Sequence, residues 1–293
     1  MTKPAFLSRI LPAAVAAPKP LVTVLSLSGV IGHMGPMRNG LSLASLADPI
    51  ERAFKPRHLS AVALAINSPG GSAAQSALIH KRIRAHAAEK GVPVFAFAED
   101  VAASGGYMLA CAADEIFADE SSLIGSIGVV SSGFGFKGLI ERLGVERRIH
   151  ATDPRKTRLD PFLDERPEDV EFLRGIQDDA HKAFRDLVAA RRGTRLKAPE
   201  EDLYSGDVWI GTRALSMGLI DGIGDLRSVM RARFGDKVRF QKIEGERGWL
   251  RRRLGIGSSV GLSGGLAGAV DGDWAGTLIA AAEERLYWSR FGL

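Results

Sequence analysis

The strongest constraint on the fold is an apolar strand that runs directly into a glycine turn and out into a long helix. Residues 62–66 (Val-Ala-Leu-Ala-Ile) read as a buried strand, Asn67-Ser68-Pro69-Gly70-Gly71-Ser72 as a tight turn, and residues 73–90 as a helix. Backbone N–H groups at such a turn converge on one concavity, and a helix N-terminus adds partial positive charge. An oxyanion or a phosphate would be stabilised there; an ordinary strand-to-helix turn with no ligand is the bland alternative. No Lys-Ser or Lys-Thr follows the glycines, which argues against a phosphate loop. Further strands are expected at 21–27, 94–98, 115–118, 127–130 and 147–150, and further helices at 42–54, 105–112, 136–143 and 167–192. This alternation predicts an α/β domain with a largely parallel sheet and flanking helices.

A second turn of the same kind carries a hydroxyl. In Val101-Ala102-Ala103-Ser104-Gly105-Gly106-Tyr107, a serine precedes two glycines at the mouth of an expected helix. Small neighbours let backbone and substrate approach closely, and this is how a nucleophilic hydroxyl is presented on a strand-to-helix turn. Serine is also an ordinary N-cap, so the motif alone does not establish a nucleophile. Two more features bear on it. Ser126 lies in the apolar, glycine-flanked stretch Leu123-Ile124-Gly125-Ser126-Ile127-Gly128-Val129-Val130, where a buried hydroxyl needs a partner. Lys156 sits in the polar, proline-punctuated loop 151–162, where a lysine is ordinarily a solvated charge.

Taken in order, Asn-Ser-Pro-Gly-Gly, Ala-Ser-Gly-Gly-Tyr, Gly-Ser-Ile-Gly-Val and a loop lysine resemble the signal peptide peptidase A family of serine peptidases. The resemblance runs from about Leu21 to Phe240 and takes in Tyr204-Ser205-Gly206-Asp207-Val208-Trp209-Ile210-Gly211 and residues 214–221. It implies the Clp protease/crotonase-like fold and a Ser-Lys dyad, with Ser104 as nucleophile, Lys156 as general base and then acid, and Ser126 orienting the lysine. A free lysine titrates at about 10.4, so a lysine base at neutral pH must be desolvated or kept from anions, at a cost of about 4 kcal/mol. Arg155 and Arg158 would disfavour a charge on Lys156, whereas Asp153 and Asp160 would favour it if they faced inward. The oxyanion donors are expected to be Gly71 N–H and Gly105 N–H, with Gly70 as the substitute, and one such donor is worth about 3 to 4 kcal/mol.

Other chemistries find less support. Of the six histidines, His33, His58, His80, His86, His150 and His181, only His150 borders the Lys156 loop, and it is the rival base. No His-Glu-x-x-His is present and Cys111 is the only cysteine, so no metal site, cofactor or intramolecular disulfide is expected, and Cys111 reads as a packing residue. The formal charge of +5 is concentrated outside the expected core: residues 1–20 carry three bases and no acid. Nucleic acid is therefore not an expected partner.

Three segments are expected: a flexible N-terminal arm (1–20), one peptidase domain (21–244), and a Gly/Ser/Ala-rich linker with a tail helix near 277–290 (245–293). The apolar run at 10–17 is too short and proline-broken to span a bilayer, which departs from relatives with a membrane anchor. A cytoplasmic location is expected, with Trp249 and Arg251–Arg253 as a candidate peripheral membrane contact. With one Ser-Gly-Gly and lysine set, the resemblance implies a ring-like homo-oligomer in which serine and lysine meet across a subunit boundary. The expected substrates are short or unfolded peptides, signal peptide remnants among them, pairing with the strand at 127–130. A crotonase-like acyl-CoA enzyme and a catalytically silent scaffold are the alternatives.

Overall fold

The computed structural model describes residues 19–32, 40–243 and 285–292. The arm at 1–18, the Gly/Ser/Ala-rich linker, and the Trp249 and arginine segment lie outside the described residues. Three strand–helix units open the chain: β1 (Leu21–Ser28) and α1 (Leu43–Phe54), β2 (Leu59–Ser68) and α2 (Ala73–Lys90), β3 (Val94–Ala103) and α3 (Gly105–Ala110). Ser42 caps α1 in a reciprocal box with Ser45. Ser72 caps α2, which ends at Gly91 in the left-handed conformation (φ 62°). Short elements follow: β4 (Glu115–Ala118), β5 (Leu123–Gly125), α4 (Lys137–Arg142), a 3-10 turn (Pro154–Thr157), the long α5 (Pro167–Arg192) and α6 (Glu200–Leu203). Then come β6 (Val208–Ile210), α7 (Gly211–Met217), β7 (Gly222–Ile223), α8 (Leu226–Phe234) and β8 (Arg239–Ile243).

The sheet runs β6-β5-β3-β2-β1-β8, with β4 beside β3 and β7 beside β4. Every ladder is parallel except β5–β6. β3 is the branch point: Phe95–Ala98 pair with β4, and Val101–Ala103 pair with β5. Both faces of the sheet are covered, which is why β2 reads as a continuous apolar run rather than an alternating one. Val62, Leu64 and Ile66 pack with Ile79 and Ile83 of α2. Ala61 and Ala63 face the other way, with Phe95, Phe97 and Met230 of α8. Cys111 is fully buried, and burial pushes its thiol up to about 12, as suits a packing residue.

Two expected strands are absent. Residues 127–130 form no ladder, because the strand is the preceding β5 and the chain turns off the sheet at Gly125 (φ 113°) and Ser126 (φ 50°). Residues 147–150 form none either; there the Arg147 guanidinium donates to Asp160 at 2.8 Å. The tail helix is seen at residues 285–289, and the rest of its expected span lies outside the described residues.

His80 is buried on α2 with 8% of its surface exposed. Desolvation, opposed in part by a backbone contact with Cys111, lowers its pKa to about 4. The unfolded chain therefore binds the proton more readily, and the stability gained by burying neutral imidazole is lost as pH falls from about 6.5 towards 4, by up to about 3 kcal/mol. Thermal melts between pH 7.5 and 4.5 should show a steeper acid loss for the wild type than for His80→Leu. Parallel curves would show that His80 is not the group responsible.

Candidate functional site

The site is built where β2 and β3 end. Ser104 is the N-cap residue of α3 and holds φ 51°, ψ −121°, a backbone conformation that a non-glycine residue rarely adopts and that costs on the order of 1–3 kcal/mol. Its hydroxyl makes no capping bond, so it is not spent on the helix start. The surroundings hold it there. Ser104 N–H donates to Gly125 O at 2.8 Å, Tyr107 of α3 is fully buried, and the Tyr107 hydroxyl donates to Leu219 O at 2.7 Å.

The first glycine turn lies against this one. A Cβ on Gly70 (φ 104°) would stand 2.7 Å from Ser104 Cβ and 2.9 Å from Gly105 N. Gly71 is pinned on its other side: Ile31 N–H donates to Gly70 O and Ser72 N–H to Ile31 O, each at 2.8 Å. Among the described residues, neither Gly71 N–H nor Gly105 N–H donates to a backbone acceptor. Both glycines line the same cavity as Ser104.

Sheet register brings in the second serine. Ala103 pairs with Gly125, so Ser104 and Ser126 are the residues that follow matched positions on neighbouring strands. Both have positive φ, at 51° and 50°. Ser126 is buried, and its N–H donates to Asp207 O at 2.6 Å, in the segment just before β6. Ser104, Ser126, Gly71 and Gly105 all line one cavity of about 630 Å³. Val129 and Val130 form part of its wall, as do Tyr287, Arg290 and Phe291 of the C-terminal segment. A larger cavity, about 800 Å³, is lined by Phe97, Leu226 and Phe240 and contains none of these residues.

Lys156 is elsewhere. It lies in the exposed 3-10 turn Pro154–Thr157 and does not line the serine cavity of the same chain. The carboxylates around it are occupied. Asp153 caps the turn and binds Arg155 at 2.9 Å, and that guanidinium holds its carboxyl below the usual range. Asp160 is held low in the same way by Arg147. Asp169, in the first turn of α5, is buried between Arg158 and Arg166. His150 does not line the cavity either.

Sequence reading passed over His181. It lies on α5 one turn before the buried Phe184 and lines the cavity, with Nε2 3.2 Å from Ile127 O, directly after Ser126. The signal was the stripe Gln177, His181, Phe184, Val188, whose spacing continues the apolar face of α5 into the cavity.

The model of Peptidase family S49 matches residues 86–236, a span that includes Ser104, Ser126 and Lys156. The chain belongs to peptidase family S49. It is 35% identical over 204 residues to the serine protease SPPA, chloroplastic, of Arabidopsis thaliana, covering 69% of this chain and 29% of that protein. It is also 47% identical over 293 residues to the Na(+)/H(+) antiporter NhaA of Brucella abortus (strain 2308), covering 99% of this chain. The chain spans 39% of the length of that relative, whose name describes the longer protein. No helix among the described residues is long and apolar enough to cross a membrane. A variant of the 1510-N membrane-bound stomatin-specific protease in complex with a substrate peptide shares the fold, with a TM-score of 0.50 and 15% identity over 81% of this chain and 98% of that one. The expected α/β, Clp protease-like architecture is thus the observed one.

The contact between Gly70 and Ser104 yields a sharp prediction. Gly70→Ala should slow any reaction at Ser104, read as fluorophosphonate labelling, by about 100-fold or more, since a displacement of about 1 Å at a reacting group has that effect. Gly91→Ala, at a positive-φ glycine with no neighbour within 4 Å, should cost stability and leave activity nearly unchanged. Equal activity losses in the two variants would show that the close approach at Gly70 has no special role.

Proposed function

We propose that this S49 chain is a serine endopeptidase acting through a Ser-Lys dyad, in which Ser104 of one copy is served by Lys156 of a neighbouring copy. The observation that carries the reading is the strained Ser104, its hydroxyl free of the helix cap, beside two unengaged backbone N–H groups in a cavity large enough for a peptide segment. Ser104 Oγ attacks the scissile carbonyl carbon as the lysine amine takes its proton. The carbonyl oxygen becomes an oxyanion accepting from Gly71 N–H and Gly105 N–H. Collapse breaks the C–N bond, the lysine ammonium protonates the leaving amine, and water then releases the acyl group from Ser104 by the same proton route. Ser126 steers the lysine amine through its hydroxyl.

Two observations support a shared site. Lys156 is exposed and does not line the serine cavity of its own chain, and the carboxylates near it are taken by arginines. The segment before Lys156 also exposes Val130, Phe134, Leu139 and Leu143 at 54–72% of their surfaces, an apolar display that a second copy would cover. The substrates that fit are extended peptides lying along Val129 and Val130, where the chain is not committed to a ladder.

Complementation tests the shared site. Ser104→Ala and Lys156→Ala should each be inactive on an unfolded peptide substrate. Mixed one to one and reassembled, they should regain activity at about one quarter of sites, the fraction that combines an intact serine with an intact lysine from the other variant. A dyad within one chain regains nothing on mixing, and full activity in Lys156→Ala alone would remove the lysine from the mechanism.

A further inference from the structure

The turn that carries Lys156 is short, exposed and irregular, yet a general base has to be held within a fraction of an ångström of its partner. What holds it is a buried carboxylate on another element. Asp169 lies in the first turn of α5 with 3% of its side chain exposed. One of its oxygens, Oδ1, is 3.0 Å from Arg158 Nε. The other, Oδ2, accepts from Arg166 Nε at 2.8 Å and lies 2.7 Å from Arg166 Nη2.

These two arginines reach opposite ends of the lysine turn. Arg158 is the residue that closes it, and its guanidinium also stacks over the Phe172 ring at 4.3 Å. The next residue, Leu159, holds φ 57°, so the chain changes direction immediately after the clamp. Arg166 Nη2 reaches back to Pro154 O at 3.5 Å, at the start of the turn. Lys156 therefore sits midway between two points of attachment that share a single anion.

We propose that Asp169 is the positioning residue for Lys156: through Arg158 at one end and Arg166 at the other, its buried carboxylate fixes the turn from which the lysine reaches the serine. This rests on the Ser-Lys reading above. The anion is spent on the two guanidiniums and not on the lysine, so it immobilises the turn without pairing with the amine itself. A carboxylate that served only to start α5 would need no link to residues 154 and 158 through Arg166 and Arg158, since an acidic residue in the first turn of a helix stabilises it unaided.

A double-mutant cycle read by fluorophosphonate labelling of Ser104 separates positioning from plain structural support. Asp169→Asn keeps the shape and removes the charge. With Lys156 present it should slow labelling about tenfold or more; in a Lys156→Ala background it should change the residual rate less than about twofold, because there is no lysine left to place. Should Asp169→Asn fail to fold, Arg158→Gln at the partly exposed end of the clamp carries the same cycle. Equal losses in both backgrounds, or no loss with Lys156 present, would overturn the assignment while leaving the dyad intact. Wild-type labelling in Lys156→Ala alone would overturn the dyad, and the role of Asp169 with it.

Discussion

Everything at this site depends on a contact in which two backbone turns meet with no side chain between them. Gly70 follows β2, and Ser104 and Gly105 follow β3, on adjacent parallel strands whose pairing continues to Ser68 and Ala102. Because the strands are parallel, their ends lie side by side, and both following helices start from the same edge of the sheet. A methyl group at Gly70 would collide with Ser104 Cβ and Gly105 N together. The unusual backbone of Ser104 is thus braced by β3 pairing with β5 on one side and by the neighbouring turn on the other, while Tyr107 anchors the helix behind it. Strain persists only where the surroundings over-determine it, and here they do.

The two halves of the proposed site are built differently. The serine half grows out of the central strands and inherits their rigidity, with α3 buried throughout. The lysine half is an excursion between β5 and α5 with little core of its own, held by ion pairs: Arg147 to Asp160, Arg155 to Asp153, Lys137 to Asp164, and the two arginines on Asp169. Exposed pairs of this kind contribute little each, whereas the one built on buried Asp169 cannot lose a partner without stranding a charge. An element of this sort is well suited to be ordered further by a neighbour, which is consistent with the exposed apolar side chains it carries.

Much of the serine half was legible in the sequence because its determinants are local. Glycine pairs after apolar strands, and a serine before one of them, declare the turns whatever the rest of the chain does. The apolar run at 127–130 misled because its β-branched residues suit a pleated strand equally well. Only the positive φ at Gly125 and Ser126, and the pairing of β5 with Val208–Ile210 far along the chain, take it off the sheet. The burial of Asp169 was hidden, since an acidic first turn is usually a solvated cap and this burial arises from arginines 3 and 11 residues earlier, whose approach no periodicity encodes. His181 was hidden for a similar reason, since its acceptor, Ile127 O, belongs to a distant segment.

The most direct measurement is to treat the purified protein with a fluorophosphonate and locate the adduct by mass spectrometry, with Ser104→Ala and Lys156→Ala alongside. The account predicts a single adduct on Ser104, absent in the first variant and strongly reduced in the second. An adduct on another residue, or none on the folded protein, would contradict it and move a non-peptidase role for the same cavity to the front.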